Sequence, residues 1–101
     1  MIDAAVHAEV VGVTPSLESV DYASAVLIFR NGGPAAVRVR RYRVVWDGGS
    51  FTGSPRDLVL AAGGTREWRV RIDHSHGNVD RLLRGTSPAC VDVLEVEPAT
   101  S

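Results

Sequence analysis

Residues 73–80 hold the densest set of metal-ligand side chains in this 101-residue chain: Asp73, His74, His76 and Asp80, with Ser75 among them. In an extended segment, residues two apart share a face, so His74 and His76 point the same way and can ligate one ion together. Their spacing matches no closed zinc pattern, and the segment is polar and contains Gly77, where such side chains are normally just solvated. The expectation is no metal and no cofactor. No serine sits in a G-x-S-x-G elbow of the kind that presents a nucleophile. The single cysteine, Cys90, cannot form an internal disulfide and lies in a strand-like pattern, which predicts a small core residue. The glycine pairs at 32–33, 48–49 and 63–64 match neither a Walker loop nor a dinucleotide fingerprint, and read as hairpin turns. A metal-dependent enzyme using the His74/His76 region is therefore the third-ranked reading, behind two non-catalytic ones.

The other chemical signal is arginine, which supplies all eleven Lys/Arg cations. These charges are planar, bidentate and permanent. Arg38, Arg40, Arg41 and Arg43 fall on one strand pattern, and Arg66, Arg69 and Arg71 on another, interrupted by Glu67. In a Greek-key sandwich those two strands belong to opposite sheets, so the groups face away from each other. With a formal net charge of -1, no global field favours nucleic acid. The expectation is solvated faces, with no nucleic-acid partner; whether these arginines bind some smaller anion stays open.

What positions these residues is a succession of short Val-rich apolar runs, broken by Gly and Pro about every ten residues. That spacing predicts an all-β sandwich of about seven strands in one domain, 1–101. Hydrophobic residues at 45% and charged residues at 23% place the chain in the globular range. Strands are expected at about 4–13, 19–30, 36–46, 50–52, 57–60, 65–72 and 89–97. Residues 25–29 are apolar on both faces, as in a central or covered strand. In the third strand Val37 and Val39 alternate against Arg38 and Arg40, then Tyr42, Val44 and Trp46 take over as the apolar set. The phase slips between Arg40 and Arg41, which predicts a β-bulge. In the strand at 65–72, Trp68, Val70 and Ile72 are expected inward, with Trp46 and Trp68 both largely buried. Phe51, flanked by glycines, is either exposed at an edge or folded over the core. Asn78 to Gly85 carries N-cap and C-cap residues and predicts one short helix whose Val79, Leu82 and Leu83 plug an end of the sandwich.

The segments LIFRNGG, VRRYRVVWDGG and LVLAAGGTREWRVRI resemble the immunoglobulin-like domains that bacteria attach to many proteins. The chain also resembles the water-stress domain of late-embryogenesis-abundant proteins, which places a short helix before its final strand. The resemblance covers roughly residues 20–97. It implies an immunoglobulin-like Greek-key sandwich and a non-enzymatic role.

Two function classes follow. The first is a module for protein interaction or assembly; the second is a stress-protective protein of the desiccation type. A complete immunoglobulin fold adds a strand after the one at 89–97, but this chain ends at Ser101. The last strand is thus expected to be an edge with unpaired N–H and C=O groups, able to pair with another chain or in a homodimer. Val91, Val93 and Glu95 are its candidate contact residues. Asp3 stands where a signal peptide carries positive charge, and no stretch approaches the ~20 apolar residues of a membrane span. The chain is expected to be cytoplasmic, or a domain cut from a larger or exported protein.

Overall fold

The structure, a computed structural model, describes residues 6–15, 22–84 and 89–99. Among them, seven strands form two antiparallel sheets: β1 (Val6–Pro15), β2 (Tyr22–Asn31), β3 (Val37–Trp46), β4 (Gly49–Gly53), β5 (Val59–Leu60), β6 (Thr65–Asp73) and β7 (Cys90–Pro98). A 3₁₀ turn at His74–His76 and the helix α1 (Val79–Arg84) lie between β6 and β7. The first sheet has the order β1-β2-β6. In the second, β3 is central, with β7 along one side and β4 and β5 following each other along the other. As expected, the strand after the Gly63-Gly64 turn lies in the sheet opposite the third strand; the last strand pairs with the third. The expected strand starts at Ala4 and Ser19 and the Gly85 cap lie outside the described residues. β1 runs to Pro15, two residues beyond the expected end at Val13. No helix among the described residues is long and apolar enough to cross a membrane.

Each strand earns its place by alternation. In β2, Ala23, Ala25, Leu27 and Phe29 are wholly buried, while Val26 and Ile28 on the other face are half-buried. The double-sided apolar run is explained by β2 being the middle strand of its sheet. In β3, Val37 and Val39 are buried, Arg40 and Arg41 are both exposed, and Tyr42, Val44 and Trp46 are buried again. The ladder to β7 shifts there: Val39 pairs with Val96 and Arg41 with Glu95, which leaves Arg40 as the extra residue. The bulge read from the sequence is present at that point. Between the sheets, Phe29 meets Tyr42 edge to face, with centroids 5.4 Å apart. Burial pushes the Tyr42 phenol up, against a smaller lowering by the nearby Trp68 indole. Phe51 folds over the core, 6.2 Å from the Tyr42 ring.

Trp68 departs from expectation. It faces inward with Val70, yet both are only half-buried, whereas Trp46 is 4% exposed. β6 is the last strand of its sheet, and the opposite sheet offers only the short β4 and β5 on that side. Alternation gave the direction of Trp68 but not the depth of its cover.

One end of the sandwich is closed by α1, whose Val79 and Leu82 are buried against β1 and β2. Asn78 caps the helix, accepting from the Arg81 N–H at 3.1 Å. The Trp46 indole donates to the Asn78 carbonyl at 2.9 Å, and Arg81 meets Asp47 at 2.7 Å. Here Gly77 bridges to Gly49, and a Cβ on Gly77 would lie 2.5 Å from the Gly48 carbonyl oxygen. These glycines permit one backbone to cross another. At the other end, the hairpins expected at 32–33 and 63–64 are not formed: of the three glycine pairs only 48–49 joins paired strands, β3 and β4, while the other two join strands of different sheets. The turn after β2 is shaped by the side chain of Asn31, whose Oδ1 accepts from the Gly33 N–H at 2.9 Å.

Candidate functional site: the sheet edges

The histidine segment does not form the arrangement its sequence allowed. It is a 3₁₀ turn, not an extended segment, so residues 74 and 76 do not share a face by strand alternation. The His76 ring stands edge-on to Phe51, with centroids 4.8 Å apart. Its Nδ1 accepts from the Asp73 N–H at 3.3 Å and lies 3.2 Å from Asp73 Oδ1. The Asp73 carboxylate in turn accepts from the Ser75 hydroxyl and, at 2.9 Å, from the Ser75 N–H. Those two bonds, led by the hydroxyl, hold its carboxyl below the usual range, with smaller help from His76 and Arg71. Both groups are occupied in closing the turn after β6. Among the described residues no group of three or more His, Cys, Asp and Glu is placed to hold a metal ion. The side chains of His74 and Asp80 lie outside the described residues.

Cys90 is exposed, against the expectation of a core thiol. It pairs with Val45 on the outer face of the second sheet, and the inward row of β7 begins one residue later, at Val91. The arginines of β3 share that outer face with an acidic row. Arg43 lies opposite Asp92 and Arg41 opposite Glu95. Arg38 and Arg40 both reach Glu97 Oε1, at 3.5 and 3.2 Å. Two of the four β3 cations are thus ion-paired to β7. Arg41 and Arg43 stand opposite acids without an ion pair among the described residues, Arg43 Nε donating instead to Thr52 Oγ1 at 3.4 Å. Acids interleave the basic stripe the sequence displays. A small depression of about 70 Å³ lies beside His7, Ala8, Glu9, Ile28 and Arg30, well below the ~300–1,000 Å³ of small-molecule sites.

What the molecule presents is backbone at its edges. β7, nine residues long, pairs with β3 alone among the described residues. Its Val91 and Val93 face the core half-buried, opposite Val44 and Tyr42, while Asp92 and Glu95 are exposed. β1 runs in contact with β7 on the same side of the sandwich without pairing to it. On the opposite side, β6 pairs with β2 alone. No family model, curated protein or solved structure matches the chain. Function has to be read from these edges.

The edges differ in regularity. β1 carries an extra residue at Val11, where its register to β2 shifts, and β7 carries one at Leu94. Sequence reasoning identified the bulge of β3 and missed these two. The signal was the same: adjacent apolar residues, Val10-Val11 and Val93-Leu94, break the alternation as Arg40-Arg41 does. β6 keeps an unbroken register from Thr65 to Asp73.

Proposed function

We propose that this chain is a non-catalytic interaction or assembly module of immunoglobulin-like build, which takes up a strand from a protein partner along β7. The observation that carries this is the one-sided pairing of β7, which leaves backbone N–H and C=O groups facing outward along the strand. The Leu94 bulge confines regular addition to Cys90–Val93, where Val91 and Val93 supply an apolar row and Glu95 stands at the rim. A second copy is a poor occupant of this edge. Antiparallel self-pairing centred on β7 would set the Asp92, Glu95 and Glu97 rows of two chains beside each other, and like charges across strands destabilise. The fitting partner is a strand with neutral or cationic outward residues.

Hydrogen exchange tests this. In the isolated domain, alternate amides within 90–93 exchange quickly while the intervening ones, bonded to β3, are protected. Adding a strand-bearing partner slows the quick set. If those amides exchange freely with every candidate partner, β7 is not an interface.

A further inference from the structure

We propose that β6 is a self-pairing edge. Two copies join antiparallel, β6 to β6, about a two-fold axis at Trp68, and the first sheet of one copy continues into that of the other. This stands independently of what binds β7. Natural sheets blunt their edges with bulges, short strands or cover. β1 and β7 are bulged, β4 and β5 have five and two residues, and only β6 among the described strands at a sheet edge is both long and regular. Among the described residues, the backbone of Thr65–Asp73 makes no backbone hydrogen bond outside its pairing with β2. Its inward row, Trp68 and Val70, is half-buried and has apolar surface left to cover.

Charge selects the occupant and the register. Glu67 and Arg69 are exposed on the outer face and form no ion pair among the described residues. They stand opposite Ile28 and Val26 of β2, which offer them none. Residues facing each other across an antiparallel pair lie on one face of the sheet, so a symmetric pairing must be centred on a residue. Centred on Trp68, Glu67 of each copy meets Arg69 of the other, twice, and the two Trp68 side chains are neighbours. Centred on Arg69, two guanidinium groups face each other. Centred on Val70, Glu67 meets Asp73 and Arg69 meets Arg71. Centred on Glu67, two carboxylates meet. Among registers that overlap five or more residues of β6, only the Trp68 one makes every central charged pair attractive; one centred on Ile72 sets Arg71 against Asp73 but overlaps only residues 71–73. Two-fold closure then ends the assembly at a dimer along this edge.

The test is sedimentation velocity over a concentration series on the full chain. The wild type associates reversibly to a dimer. Glu67→Arg and Arg69→Glu each replace two attractive cross-strand pairs by two repulsive ones and weaken the dimer by about tenfold, from typical cross-strand pair energies. An equimolar mixture of the two variants restores association, because each heterodimer regains both opposite-charge pairs; the double variant E67R/R69E does the same within one chain. Both positions are exposed, so the dilute variants keep the wild-type melting temperature. Hydrogen exchange at 66–70 slows with protein concentration in the wild type and not in the single variants. A wild type that stays monomeric to millimolar concentration overturns the proposal. So does a dimer indifferent to both substitutions, or one that responds instead to charge reversal at Asp92 and Glu95, which would place self-pairing on β7.

Discussion

Asn31 is the single buried polar side chain among the described residues, at 2% exposure. Its Nδ2 lies 2.8 Å from the Ala35 carbonyl, 3.3 Å from that of Leu60 and 3.2 Å from that of Ala61. Its own N–H donates to the Gly64 carbonyl at 2.9 Å. One side chain therefore fastens the turn after β2 to the turn that opens β6, and sets where the β6 edge begins. Asn31→Ala leaves the buried Leu60 carbonyl and the part-buried Ala35 and Ala61 carbonyls without this donor, at about 1–3 kcal/mol for a fully buried group, and should lower stability by ~2–3 kcal/mol in urea unfolding. Asn31→Asp should cost at least as much at neutral pH, since it turns a carboxylate oxygen toward carbonyl oxygens. If Asn31→Asp melts like wild type, the carbonyl cage is not what holds this corner. The sequence placed Asn31 just before a glycine-pair turn. It did not mark it as a buried tie, because the carbonyls at Leu60 and Ala61 are about thirty positions away and are brought near only by folding.

At the scale of elements, β3 and β7 show how two irregularities can cancel. Arg40 is extra on β3 and Leu94 extra on β7, and the ladder resumes its earlier register beyond them, with Tyr42 opposite Val93 and Val44 opposite Val91. Deleting Arg40 makes β3 alternate without a break through Val37, Val39, Tyr42, Val44 and Trp46, but leaves the extra residue of β7 uncompensated. The single deletion should therefore melt below wild type, as the ladder slips on one side of Leu94. Deleting Leu94 as well regularises both strands, and the double deletion should melt above the single one. Thermal unfolding by circular dichroism orders the three proteins. A double deletion less stable than the Arg40 deletion alone would show that the bulges do not compensate. The β3 bulge was legible because charged residues flank it and the phase change is plain. The bulge at Leu94 was obscured by apolar residues on both sides, where alternation loses contrast.

The whole molecule is a sandwich with unequal sides. On one, β1 and β7 lie in contact; on the other, β6 extends past the short β4 and β5. The two tryptophans report this asymmetry. Trp46 is buried and bonded to the Asn78 carbonyl at the closed end, so Trp46→Ala should cost about 3–5 kcal/mol, as for a large core truncation. Trp68, half-buried under the Arg66 guanidinium 5.4 Å from its ring, should cost ~1–2 kcal/mol when truncated in the monomer, since less area leaves water. Equilibrium unfolding of both variants in dilute solution checks the order, and equal losses would show that the β6 side is closed.

Strand alternation, turn residues and cap residues are local, so the chain by itself determined the all-β class, the inward set of β3, the bulge at Arg40 and the Asn78 cap. What the tertiary structure decided was every property that depends on a partner far along the chain. It exposed Cys90 by setting the inward phase of β7, and left Trp68 half-covered because the opposite sheet is short there. It brought Arg38 and Arg40 of β3 to Glu97 of β7, almost sixty residues away, while Glu67 and Arg69 on β6 form no ion pair among the described residues. Period and propensity act over a few residues; neutralisation, cover and edge exposure depend on which strands become neighbours.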